Sequence, residues 1–101
     1  MTTLLITRHP GAIEWAARQG LRVDGQIAHL DPAAIEPGDT VIGTLPIQLA
    51  AGVCARGGRF FNLSLDIPWD VRGREFSADE LEAYGARLEE FVVLPAVHDG
   101  N

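Results

Sequence analysis

Lysine is absent from this chain: its eight basic residues are all arginine, set against fourteen acidic ones for a formal net charge of −6. Such a balance lacks the broad basic footprint that binds the phosphates of duplex DNA or RNA, so long nucleic acid is disfavoured as a partner. An anion site here is expected to be a pocket rather than a surface. Codon bias toward arginine explains the missing lysine as readily as chemistry does, but each arginine still offers a planar fork that grips phosphate oxygens bidentately. Cysteine is scarce too. Cys54 alone excludes an intramolecular disulfide and a structural zinc site, which makes a reducing compartment, the cytoplasm, the expectation. No run approaches the roughly 18 to 20 apolar residues of a membrane span, and the segment from Met1 to Thr7 lacks a basic-then-apolar signal pattern, so no membrane partner is expected. No H-x-x-x-H, D-x-D or clustered carboxylate pattern gives metal-ligand spacing, and neither a metal nor a cofactor is expected.

What is present is a globular composition, 47% apolar and 22% charged over 101 residues, which has room for one core. One domain is expected over residues 1–95, followed by a flexible tail over 96–101. Thr3 to Thr7 is a short apolar run closed by Arg8-His9-Pro10-Gly11, a strand entering a turn. Pro10 suits the first position of a helix that Gly20 ends, with Ile13, Ala16 and Ala17 on one face and Glu14 paired to Arg18. A second strand is centred on Gln26 to His29, and a third runs from Thr40 to Gly43. Gly43-Thr44-Leu45-Pro46 repeats the strand-to-loop-to-helix pattern, the helix running from Pro46 to Arg56 before Gly57-Gly58. Arg59 to Leu63 is a fourth strand, and Ser64 to Phe76 is irregular. Ser77-Ala78-Asp79-Glu80 is a capping box that predicts a third helix from Ala78 to about Glu89, with Leu81, Tyr84 and Leu88 inward; the residues from Phe91 to Leu94 are a possible last strand. Alternating strands and helices predict an α/β fold: a small Rossmann-like domain with a mainly parallel sheet flanked by helices.

In such sheets ligands bind at the carboxyl ends of strands, and the two marked loops leave strands there and enter helix N-termini, where backbone N–H groups favour phosphate. Thr7, Arg8, Gly11, Gly43 and Thr44 are therefore candidate ligand-binding residues. Arg8, His9 and Thr44 are candidates for catalysis, with His9 for proton transfer because its ordinary pKa lies near neutrality. Plainer readings stand beside these: a helix cap for Thr44, a tight turn for Gly43, a surface or capping role for His9. His29 reads better as a hydrogen-bonded structural histidine than as a ligand, and His98 as a bystander. Cys54 falls on an apolar helix face and reads as core. Trp69, Arg72 and Arg74 in the long loop are further candidates for contacting the ligand, while Trp15 serves either an interface or an extra core face.

The strings TRHPGAIEW, HLD, GDTVIGTLP, LSLD, RGRE and YGARL in this order resemble a small CRISPR-associated family, the sixteenth of the Csx series, over nearly the whole chain up to Val93. The resemblance implies a ring nuclease of type III CRISPR systems, which removes cyclic oligoadenylate second messengers and is similar in fold to nucleotide-sensing Rossmann-like domains. A ring such as cyclic tetra-adenylate, with its approximate two-fold symmetry, leads to the expectation of a symmetric homodimer. Two other readings come from different classes: a non-catalytic sensor or sponge for the same messenger, and a histidine-phosphatase-like enzyme suggested by Arg8-His9, whose motif Pro10 interrupts.

Overall fold

Each strand of the sheet alternates its side chains between two faces, and that alternation divides the core into two layers. The computed structural model describes residues 1–71 and 75–96. Its elements run β1 (Thr3–Ile6), α1 (Pro10–Arg18), β2 (Gly25–Ile27), a 3-10 turn (Pro32–Ala34), β3 (Thr40–Gly43), α2 (Ile47–Ala55), β4 (Arg59–Ser64), a second 3-10 turn (Trp69–Val71), α3 (Ala78–Ala83) and β5 (Arg87–Phe91). The strands form one sheet in the order β2-β1-β3-β4-β5, parallel except for β5, which runs antiparallel to β4. This is the mainly parallel α/β sheet that the sequence predicts.

Leu5 and Ile42 point to one face, where α1 and α3 cover them with Ala12, Trp15, Ala16, Ala78 and Leu81. Their chain neighbours Ile6 and Val41 point to the other, packing with Phe60 against Ala50 and Val53 of α2. Cys54, half-buried, packs against this second layer as expected. α1 buries Ala12, Trp15 and Ala16 rather than the expected Ile13, Ala16 and Ala17, because rotating the helix toward Trp15 takes the largest apolar side chain out of water. Trp15 is thus a core residue, only 4% exposed. The Glu14–Arg18 pair forms at 3.3 Å, and Arg18 also reaches Asp79 at 2.7 Å, tying α1 to α3. The hydrogen bond to Asp79, with the charges of Asp79 and Glu14, raises the Arg18 pKa.

The expected third helix is shortened. α3 opens on the predicted capping box, Ser77 Oγ accepting from the Glu80 amide and Glu80 Oε1 accepting from the Ser77 amide, both at 3.1 Å. It stops at Ala83 because Gly85 takes a left-handed conformation, φ 72°, in which the Ala86 amide donates to the Leu81 carbonyl and the Gly85 amide to Glu82. Leu88 then lies on β5, opposite Leu63, and not on a helix. The strand expected from Phe91 to Leu94 is in fact Arg87–Phe91. Arg59 grips Glu90 with two hydrogen bonds, 2.8 and 2.9 Å, which places charge on this edge strand.

At the amino end of the sheet, the Asp39 carboxylate is largely buried and accepts from the Thr2 amide at 2.9 Å and the Glu36 amide at 3.0 Å. Donation from Glu36, then from Thr2, holds its pKa below the ordinary carboxylate value. No helix among the described residues is long and apolar enough to cross a membrane.

Candidate functional site

The chain leaves β1 outward to β2 and then returns across β1 to begin β3, so the strand order reverses between β1 and β3. α1 and α2, which follow those two strands, cover opposite faces of the sheet, and a crevice opens at the carboxyl ends where they diverge. Ile6 is in register with Gly43, so Thr7 and Thr44 leave neighbouring strands side by side. The loops that the sequence marks for an anion therefore share one edge.

The first loop is fixed by its own polar groups. Thr7 donates its amide to the Ile27 carbonyl at 2.9 Å, accepts from Gln26 Nε2 at its carbonyl, and accepts from the His9 amide at Oγ1, 3.1 Å away. Its hydroxyl thus builds the turn that presents Arg8 and His9. Arg8 is exposed and makes no ion pair or hydrogen bond among the described residues. In the second loop the close approach belongs to Gly43: a Cβ there would lie 2.6 Å from the Ile6 carbonyl oxygen. Thr44 Oγ1 reaches toward the Leu63 carbonyl at 3.5 Å, and the amides of Thr44 and Leu45 find no acceptor among the described residues. Thr44 is exposed, ahead of the N-cap at Pro46. It is therefore not the plain N-cap of α2.

Two cavities flank these loops. The larger, about 350 Å³, is bounded by Thr7, Arg8, His9, His29, Thr44 and Pro46. The smaller, about 110 Å³, lies on the α1/α3 side between Thr7, His9, Gly43, Thr44, Glu75 and Phe76. Thr7, His9 and Thr44 border both. His29 is exposed, has no hydrogen-bond partner among the described residues and borders the larger cavity. This differs from the bonded structural role expected of it, because β2 ends at Ile27 and releases the next two residues toward the crevice.

Gly11 has a packing reason of its own: a Cβ there would collide with the Phe76 carbonyl, so this glycine lets the segment before α3 lie across the start of α1. That segment brings in Glu75, whose Oε1 stands 3.1 Å from His9 Nδ1. Sixty-six positions separate the pair, and no local pattern in the sequence joins them. Trp69, 81% exposed in its 3-10 turn, borders neither cavity. Arg72, Arg74, His98 and the tail from residue 97 lie outside the described residues. No group of three or more His, Cys, Asp or Glu that could hold a metal ion occurs among the described residues.

Residues 4–94 match the family model described as "Putative CRISPR-associated protein (Cas_VVA1548)". No curated protein and no solved structure matches the chain.

Proposed function

We propose, for a chain that belongs to the CRISPR-associated family Cas_VVA1548, that the strand-end site binds a cyclic oligoadenylate, cyclic tetra-adenylate in particular, and opens it as a ring nuclease. Removing the messenger would switch off type III CRISPR antiviral signalling. The observation that carries this reading is the gathering of Arg8, His9, His29 and Thr44 around one cavity at the reversal of strand order, in a chain that is otherwise acidic. Among the described residues, the Thr44 and Leu45 amides have no acceptor and no carboxylate borders the larger cavity, so these amides and the Arg8 guanidinium supply donors for a phosphate.

The chemistry suited to these groups uses the ligand's own ribose. The 2′-hydroxyl gives its proton to His9, its oxygen attacks the adjacent phosphorus, and the bond from phosphorus to the 5′-oxygen breaks. The imidazolium returns the proton to that departing oxygen, leaving a linear oligoadenylate with a 2′,3′-cyclic phosphate and a 5′-hydroxyl. Arg8 and the Thr44 amide stabilise the charge that develops on phosphorus-bound oxygen. Alignment makes the attack intramolecular, which is worth a large effective concentration even with a modest base. Such cleavage requires no metal. Mass spectrometry of products formed from cyclic tetra-adenylate in excess EDTA tests it, with linear ends bearing cyclic phosphate expected. Ends with a 5′-phosphate, or activity lost with the chelator, would mean that a metal-activated water attacks. Rings recovered intact would leave a sensor or sponge.

A cavity of about 350 Å³ is near the lower end of the roughly 300–1,000 Å³ common for small-ligand pockets, room for one nucleotide unit rather than four. A symmetric homodimer with its two-fold axis beside Arg8 and Thr44 would present two such cavities to opposite phosphates of one ring. Light scattering is expected to give a mass near twice 10.9 kDa. A monomer both with and without the ring would overturn this arrangement.

A further inference from the structure

We infer that Glu75 is the positioning residue for His9: its carboxylate holds the proton on Nδ1, which leaves Nε2 free to take a proton from a bound ligand. The inference rests on the nuclease reading for its rate effect, and on geometry alone for the hold on the ring. His9 Nδ1 and Glu75 Oε1 are 3.1 Å apart. In a neutral imidazole one nitrogen donates and the other accepts, and the hydrogen bond at one nitrogen decides which. An ionised carboxylate can only accept, so it selects the Nδ1–H form. The second nitrogen is then the base.

Three features of the fold place Glu75 there. The capping box fixes Ser77 at the start of α3, two residues on. Gly11 admits the Phe76 carbonyl against the first turn of α1, which sets the height of the segment above His9. Phe76 meets Tyr84 edge-on with ring centroids 5.3 Å apart, anchoring the same segment to the end of α3. His9 in turn is fixed by its amide N–H, which donates to Thr7 Oγ1, and by its carbonyl, which accepts from the Ala12 and Ile13 amides. His9 is held through its own backbone and Glu75 through its chain neighbours Phe76 and Ser77, and the contact between their side chains joins the two.

In the cleavage step the proton of the 2′-hydroxyl passes to Nε2 while Nδ1–H stays on the carboxylate, so the imidazolium formed lies against a negative charge. The carboxylate itself gains no proton. This is the arrangement by which a third group orients a base, built here from residues on β1's loop and α3's leading segment.

The test compares wild type with Glu75→Ala and Glu75→Gln. Ring ¹⁵N shifts in the free protein, assigned to His9 by its loss in His9→Ala, report the tautomer without any ligand. Wild type is expected to carry the proton on Nδ1, Glu75→Ala to move toward Nε2–H, and Glu75→Gln, which keeps an acceptor oxygen, to stay near wild type. In single-turnover cleavage of cyclic tetra-adenylate, Glu75→Ala is expected to be slowed at least tenfold, with affinity changed less than twofold and most of the rate restored in Glu75→Gln. An unchanged tautomer in Glu75→Ala would overturn the inference, as would a shifted tautomer with an unchanged rate. Tighter binding in Glu75→Ala would instead make the carboxylate a stand-in for phosphate, and would also overturn it. Failure of wild type to open the ring would defeat the nuclease reading and the rate effect with it, while the tautomer comparison still decides the hold on the ring.

Discussion

Arg8→Ala separates a ligand-gripping arginine from a structural one, because this guanidinium holds nothing among the described residues. Its side chain is exposed and has no ion pair or hydrogen bond among the described residues. Surface substitutions of that kind change stability by no more than about 0.5 kcal/mol. For a domain of this size each kcal/mol moves the melting temperature by roughly 4–8 °C, so the shift should stay within about 4 °C. Binding should respond differently. A hydrogen bond to a charged group is worth about 1.5–3 kcal/mol, and at about 1.4 kcal/mol per decade the dissociation constant should rise roughly 10- to 140-fold. The upper part of that range corresponds to a bidentate grip on one phosphate. Calorimetric titration with cyclic tetra-adenylate, paired with a thermal melt of the same samples, reads both quantities. Unchanged affinity would remove Arg8 from the site, and a melting temperature lowered well beyond 4 °C would assign it to the fold.

Trp15→Ala should cost about 3–5 kcal/mol, since the indole is buried between β1, α1 and α3 and its removal opens a large void; urea unfolding checks this, and a loss below about 0.5 kcal/mol would restore Trp15 to a surface role. Asp39 has a folded pKa below its unfolded one, so its contribution is present above about pH 3.9 and fades as pH falls through the folded value. The stability gap between wild type and Asp39→Asn should therefore be wider at pH 7 than at pH 3, and an equal gap at both would refute the linkage.

The central strands were legible because a strand covered on both faces reads as a continuous apolar run, as in residues 3–6 and 40–43. β5 is not legible in this way: RLEEF is a charged edge strand with one partner, and its Leu88 continues the spacing of Leu81 and Tyr84, which reads as one long helix. Gly85 held the contrary signal. The glycine that closes α1, Gly20, takes the same left-handed backbone, and there the glycine coincides with the helix end that the sequence predicts, although Leu21 lies in phase beyond it. Trp15 was ambiguous because helical phase on a nine-residue helix is fixed only by what covers it, and α3 comes from the other end of the chain. At the site, Arg8, His9 and Thr44 could be placed on one edge from strand alternation. Glu75 and His29 could not, since each reaches the crevice through tertiary placement of an irregular segment.

The His9–Glu75 contact joins parts of the molecule that open on different occasions. His9 follows β1, a central strand that supplies both core layers, and it caps α1, where its carbonyl accepts from Ala12 and Ile13. Glu75 belongs to neither helix nor strand, and segments of that kind exchange their amide hydrogens through small local openings. Local opening of the segment before α3 would therefore part Glu75 from His9 while β1 and α1 stay folded.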